Sequence, residues 1–331
     1  MGIKIGHITV ENRVVLAPMS GITDAPFRSQ VHKFGPNLVF SEMIPSTEML
    51  HLLKTNKQNY RKEFKSKRNA PIGFQIAGWD PYIMGEAASV LEDFGASIID
   101  INMGCPAKKV VKRYAGSALM KDLSLAEKIV TSVVNATSIP VTLKMRTGWD
   151  EETKNAPQLA KIAEDNGIKM LTVHGRTRNQ FYKGNADWKF ISSVKAAVGL
   201  PVIANGDITS IQGACTCLEV SNADGIMIGR GANGQPWLLS QISAFIEDGS
   251  LLPSPQLEQQ MAILLEHFDS MLSHYGNELG TRLSRKHIAW YTKGLPSSTD
   301  FRQKIFTKHD PRMVKKSICE LYDFAQSRLA V

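Results

Sequence analysis

The sequence predicts an α/β chain in two parts: a (β/α)8 TIM barrel over residues 1–248, and a C-terminal all-helical domain of four-helix-bundle type over residues 249–331. Three observations predict it. Short apolar runs of strand type recur eight times between positions 14 and 230, with helically spaced apolar residues in the segments between them. The first run lacks the glycine-rich turn of a dinucleotide-binding open sheet, and nothing in the spacing breaks the series into two halves, so a closed barrel fits better. Beyond the Gly-, Ser- and Pro-containing linker 249–255, no strand pattern recurs.

In chain order, the first strand covers 14–19, and Thr23 and Asp24 begin a helix through Phe27 and Val31. The second strand covers 38–43, with a helix over 46–54. Segment 54–69 carries Lys57, Arg61, Lys62, Lys65, Lys67 and Arg68 and reads as an exposed basic surface. The third strand is 71–78, followed after Asp80 by a helix bearing Ile83, Ala87, Val90 and Leu91. The fourth begins near Ser97, runs through Asp100 and Asn102, and leads over a basic loop to a helix at 119–135. Strands at 140–146, 169–176, 200–207 and 224–230 complete the eight, with a helix at 156–166 and another ending near 248. Helices at 256–275, 279–294, 298–306 and 310–329 form the predicted bundle.

Composition narrows the function classes. A 331-residue chain that is 43% hydrophobic and 21% charged supports a large core and excludes a disordered protein. Lys+Arg of 39 against Asp+Glu of 31 leaves +8, which points to a polyanion partner, although an ordinary solvated basic surface gives the same surplus. Four cysteines are too few for a disulfide scaffold. Cys215 and Cys217 read as helix packing, and no second Cys-rich segment completes a metal site, so no metal is expected. Residues 1–7 contain no signal-peptide core and no later run has the length of a membrane span, so a cytoplasmic protein is expected.

In a parallel barrel the C-terminal strand ends share one face, where chemistry is built. Those ends carry Ala17, Pro18 and Met19, then Gln75, Asn102 with Cys105, Lys144 with Arg146, His174 with Arg176, Asn205-Gly206-Asp207, and Gly229-Arg230. Each alone is well explained as a satisfied buried residue, while the strand interiors read as Val, Ile and Leu; their convergence on one rim is not a packing pattern. Cys105, held against Pro106 just past a strand, is a candidate acid or nucleophile. The glycine turns after strands seven and eight have the position and composition of a phosphate cradle, with Arg230 as a charged donor. Lys144 suits either a Schiff base or neutralisation of a developing anion, and the pattern leaves both open.

Ala17-Pro18-Met19 with Thr23-Asp24, Asn102-Met103-Gly104-Cys105-Pro106, Lys144-Met145-Arg146, His174-Gly175-Arg176-Thr177 and Asn205-Gly206-Asp207 closely resemble the tRNA-dihydrouridine synthases. The run from Ile101 to Val110, Arg285-Lys286-His287 and Lys293-Gly294 look like the bacterial B-type subfamily. The resemblance implies an FMN enzyme that reduces the C5–C6 double bond of a uridine in the tRNA D-loop, with electrons from NADPH or NADH. It implies that Ala17, Pro18 and Met19 line the isoalloxazine, that Gln75 hydrogen-bonds it, that Lys144 meets its N1–O2 edge and that His174 lies against it. Asn205, Gly206, Asp207, Gly229 and Arg230 would hold the ribityl phosphate, in agreement with the cradle read from the residues themselves. Hydride would pass from flavin N5 to uracil C6, Cys105 would protonate C5, and Asn102 would contact the base.

Under that resemblance the basic groups have an RNA partner: Lys108, Lys109, Lys112 and Arg113 after strand four, Arg176, Arg178 and Lys183 after strand six, and Arg282, Arg285, Lys286, Lys293, Arg302 and Lys304 in the helical domain, read as a clamp on tRNA. Lys108 and Lys109 are expected to face RNA phosphates rather than the thiol. Tyr182, Trp290 and Tyr291 are candidate stacking surfaces, with core packing expected for at least two. A monomer is expected. Three rivals stay open: an FMN barrel dehydrogenase of a free pyrimidine, a non-redox tRNA-binding or folding protein, and a phosphate-binding isomerase or aldolase using Lys144.

Overall fold

The computed structural model describes residues 2–35, 38–55 and 71–329; Lys57, Arg61, Lys62, Lys65, Lys67 and Arg68 lie outside the described residues. In chain order the strands are β1 (Ile3–Ile5), β2 (Ile8–Val10), β3 (Val14–Leu16), β4 (Val39–Phe40), β5 (Ile44–Pro45), β6 (Ile72–Ala77), β7 (Ile98–Met103), β8 (Val141–Arg146), β9 (Met170–His174), β10 (Val202–Asn205) and β11 (Gly225–Ile228). The helices are α1 (Ala25–His32), α2 (Ser46–Thr55), α3 (Pro81–Asp93), α4 (Lys108–Val111), α5 (Leu123–Asn135), α6 (Ala156–Asp165), α7 (Trp188–Ala197), α8 (Ile211–Ser221), α9 (Leu238–Asp248), α10 (Leu257–Tyr275), α11 (Asn277–Tyr291), α12 (Ser298–Ile305) and α13 (Pro311–Leu329).

Parallel pairing runs β4-β3-β11-β10-β9-β8-β7-β6, and a further β4–β6 pairing closes the ring; β5 adds a short edge on β6. This is a closed (β/α)8 barrel, and every predicted strand falls on one of its staves. Helix starts follow the local chemistry. Asp24 accepts the Phe27 N–H at 3.0 Å with Pro26 in the first turn, and Asp80 caps α3 through Ile83 N–H at 3.1 Å.

Side chains alternate across each strand, so one parity faces the helices and the other faces the barrel axis. Ile99, Ile101, Met103, Leu143, Met145, Leu171 and Val173 join the layer between sheet and helices. The opposite parity puts Ile98 and Met170 into a second apolar cluster with Ile3, Ile5 and Val10 of the β1–β2 hairpin. Because Ile98 and Met170 open their strands, the hairpin plugs the N-terminal end of the barrel. The sequence reading contained no such hairpin, since three-residue strands are too short to show a period. Higher up the axis the same parity is polar: Asp100, Asn102, Thr142 and Thr172 are buried, with Lys144 half-buried. The strand interiors are therefore not simply Val, Ile and Leu, as expected. The helix-facing parity carries those residues, and the axis-facing parity changes from apolar to polar on approaching the mouth.

Helices α10 to α13 pack around Leu264, Phe268, Ile288, Tyr291, Ile318 and Tyr322. They meet the barrel beside α1: the Phe27 ring lies 5.7 Å from His267 and 5.5 Å from His287, and Tyr275 Oη donates to Asp24 at 3.0 Å. Lys286 also donates to the Gly21 carbonyl, in the loop that follows β3. The helical region is thus fastened to the first loop of the mouth. Among the described residues no helix is long and apolar enough to cross a membrane.

Candidate active site at the barrel mouth

The loop after β7 is held on three sides. Asn102 Oδ1 accepts the N–H groups of Gly104 at 3.1 Å and Cys105 at 2.9 Å. Ser117 donates both its N–H and its hydroxyl to the Cys105 carbonyl, at 3.1 and 2.9 Å. Arg146 Nε donates to the Gly104 carbonyl at 2.8 Å. Gly116, with φ +61, sits where a Cβ would come within 2.8 Å of the Cys105 carbonyl oxygen, so this turn needs glycine. The result is a half-buried free thiol on an immobilised backbone.

Lys144 stands beside Asn102 across the β7–β8 pair, with Nζ donating to Asn205 Oδ1 at 3.0 Å. Asn205 is turned that way because its Nδ2 donates to the Met227 carbonyl at 2.8 Å. Burial pushes the Lys144 ammonium down to about 8, against the opposing pull of Asp100. Asp100, one pleat below Asn102, is pushed up to about 6 by burial, with hydrogen bonds from Thr142 and Gln75 and the Lys144 charge working the other way. His174 is held neutral by burial and then by the surrounding Lys144, Arg146, Arg176 and Arg230 cations. Arg176 Nη1 lies 3.3 Å from His174 Nε2; since a guanidinium only donates, Nε2 accepts and the ring proton belongs on Nδ1.

The turns after β10 and β11 present backbone N–H groups in the geometry expected of an anion cradle. Gly206 has φ +123 and Asp207 φ +57, and the backbone N–H groups of Gly206, Asp207 and Gly229 have no protein acceptor among the described residues. A Cβ on Gly229 would meet only Met19 Sδ at 3.5 Å and Ala17 Cβ at 3.7 Å, which brings the first and last strand ends together at this turn. Free N–H groups beside Arg230 suit a phosphoryl group. Burial would raise the Asp207 carboxyl, but Arg176, the Ala186 N–H and Arg230 together hold it below its ordinary value. That carboxylate is an internal counter-ion, so what Asp207 offers an anion is its N–H. A Cβ on Gly231 would fall 2.3 Å from the Ile208 carbonyl oxygen. Gly231→Ala is therefore expected to spread the two turns and cost about tenfold or more in retention of a phosphate-bearing cofactor, measured as cofactor content after gel filtration.

The expected substrate-side residues divide by environment. Lys108 and Lys109 are exposed on α4, one turn after Cys105. Arg176, expected at the RNA, is only 2% exposed and is spent on Asp207 and on the Lys183 and Gly184 carbonyls; it braces the loop after β9 instead. Arg178 is half-buried, with its guanidinium carbon 4.6 Å from the centre of the Trp149 ring. Arg285 donates to the Lys308 carbonyl at 3.2 Å, and Lys286 to Gly21. Of the three candidate stacking rings, Tyr291 is buried and Trp290 half-buried, whereas Tyr182 is 56% exposed with Arg230 5.0 Å from its ring centre. Sequence reasoning missed Asp100, Thr142 and Tyr114. Tyr114 is 72% exposed at φ +56 beside Lys112 and Arg113. No group of three or more His, Cys, Asp or Glu side chains among the described residues could hold a metal ion.

Comparison with known proteins gives the family of the chain. A family model described as Dihydrouridine synthase matches residues 15–327. The chain belongs to the dihydrouridine synthase family. A "Probable tRNA-dihydrouridine synthase" of Rickettsia bellii is 52% identical over 320 residues, spanning 97% of this chain and 98% of that one. A "tRNA-dihydrouridine synthase B" of Pseudomonas putida is 44% identical over 308 residues, spanning 93% and 90%. The solved structure of morphinone reductase in complex with tetrahydroNAD has a TM-score of 0.52 at 14% identity, covering 78% of this chain and 93% of that one; it shares the barrel fold with this dihydrouridine synthase.

Proposed function

We propose that this dihydrouridine synthase binds FMN at the barrel mouth and reduces a uridine of tRNA, with NADPH as the electron source, in the cytoplasm and as a monomer. The observation that carries the reading is the placement of a free, backbone-pinned Cys105 thiol at the same mouth as the Gly206–Asp207–Gly229 cradle, with Lys144 near both. The donor set fits FMN: unpaired backbone N–H groups and Arg230 for the phosphate, Ala17, Pro18 and Met19 for the ring, and the Lys144 ammonium for its N1–O2 edge. When bound, the reduced flavin supplies the hydride that adds to uracil C6.

The chain's own residues supply the rest. The Cys105 thiol gives its proton to C5, while the Asn102 bonds to its backbone keep the sulfur from drifting off the base. Neutral His174 packs beside the ring without adding a further cation to the site. Lys144 in its ammonium form balances negative charge at the pyrimidine end of the flavin. The Lys108 and Lys109 ammonium groups meet RNA phosphates, and residues 249–331 orient the tRNA through the contacts that Tyr275 and Lys286 make with the loop after β3.

A Lys108→Glu, Lys109→Glu protein is expected to retain its flavin while its tRNA KM rises about tenfold and the salt slope of log affinity flattens by about 1.5, for two lost phosphate contacts. The reading itself is tested by the spectrum of the purified protein. A bound flavin released by acid as FMN, and bleached anaerobically faster by NADPH than by NADH, is the expected result. A colourless protein that takes up no flavin contradicts it.

A further inference from the structure

Asp100 has no part in the mechanism above, yet among the described residues it is the one carboxylate inside the barrel beneath the mouth, 1% exposed and in register with Gln75 on one side and Thr142 on the other. Burying a carboxylate among packed strands costs stability unless its oxygens are matched by donors. Here they are: Thr142 Oγ1 donates to Oδ1 at 2.6 Å and Gln75 Nε2 to Oδ2 at 2.7 Å. An ionised carboxylate only accepts, so Gln75 must turn its NH2 toward Asp100 and its carbonyl away. That carbonyl takes Asn102 Nδ2 at 2.7 Å. Asn102 must therefore present its Oδ1 to the loop, where it takes the Gly104 and Cys105 N–H groups. Each amide has two orientations, and one charge selects a single orientation for the whole chain.

We infer that Asp100 is a positioning residue: through Gln75 and Asn102 it locks the Cys105 loop and leaves Asn102 an N–H, rather than a carbonyl, to offer the substrate. An N–H is the group that stabilises the negative charge arriving on a uracil carbonyl oxygen when hydride adds to C6, whereas a carbonyl there would repel it. With asparagine at position 100 the charge is gone. Gln75 and Asn102 can then flip together, and the acceptor under Gly104 and Cys105 is replaced by an NH2 that cannot take their hydrogens. The inference rests on Cys105 as the proton donor, so Cys105→Ala is run alongside. Full reoxidation by tRNA in Cys105→Ala sinks that reading whatever Asp100 does.

The test is Asp100→Asn, measured in two ways. In flavin-free protein, amide exchange at Gly104 and Cys105 is expected to quicken about tenfold while the β7 amides stay protected, which general loosening would not produce. In flavin-loaded protein, single-turnover reoxidation by unmodified tRNA is expected to fall about thirtyfold, with tRNA KM and the rate of reduction by NADPH within about threefold of the parent. Because Asp100 acts through Asn102, Asp100→Asn in an Asn102→Ala background should cost less than about threefold more. Full additivity in that cycle, or unchanged exchange at Gly104 and Cys105, overturns the inference. If Asp100→Asn does not fold, Thr142→Val removes one donor and raises the Asp100 pKa, so the acid limb of reoxidation should move to higher pH; an unmoved limb overturns the inference equally.

Discussion

Cys105→Ala is expected to lower dihydrouridine formation by about three orders of magnitude while leaving flavin content and reduction by NADPH within about twofold of the parent. Sulfur is the one acidic atom the loop after β7 presents at the mouth, and Asn102, Ser117 and Arg146 hold that loop by backbone groups of Gly104 and Cys105, so removing the sulfur leaves the turn standing. Stopped-flow spectroscopy separates the two half-reactions. Bleaching by NADPH should proceed, and recovery of the oxidised spectrum on adding unmodified tRNA should not. Equal losses in both half-reactions would mean that Cys105 holds the cofactor rather than the substrate.

Lys144→Met is expected to cost about two to three orders of magnitude in turnover, with a distinctive pH signature. Burial brings Lys144 down to about 8, so it is charged below that pH and neutral above it. If the ammonium is the working form, flavin reduction by NADPH in the parent, the half-reaction that does not use the Cys105 thiol, slows as pH rises through about 8. Lys144→Met removes that alkaline limb along with most of the rate. A parent profile flat to pH 10 would show that the charge on Lys144 is not needed. A nucleophilic lysine, as in a Schiff-base mechanism, would give the opposite slope, with activity rising toward high pH.

The barrel was legible because each β/α unit repeats the same apolar grammar, and because Asp24 and Asp80 announce their helices through side-chain caps. The rim was legible for the same reason: Asn102, Lys144, His174 and Asn205 interrupt an apolar run close to its C-terminal end, where a parallel barrel puts its mouth. Asp100 was not, since it sits inside the run Ile98–Met103 and its donors, Gln75 and Thr142, come from strands 25 and 42 residues away. Only the pleat, which points Asp100 and Asn102 to the same side, brings them together. Arg176 misled for a related reason. A basic residue after a strand looks solvent-facing until Asp207, 31 positions later, folds back to take both of its terminal nitrogens. The residues that bind something outside the chain and those that bind one another carry the same letters, and only burial separates them.

The central claim, that the flavin passes its electrons to a uridine within folded RNA, is tested most directly by one anaerobic titration. The protein is reduced with a single equivalent of NADPH, unmodified tRNA is added, and the oxidised spectrum is followed while the RNA is digested to nucleosides. The account predicts recovery of the spectrum with one dihydrouridine formed per flavin reoxidised. Recovery on adding free uracil or orotate, with tRNA inert, would contradict it and make the protein a dehydrogenase of small pyrimidines.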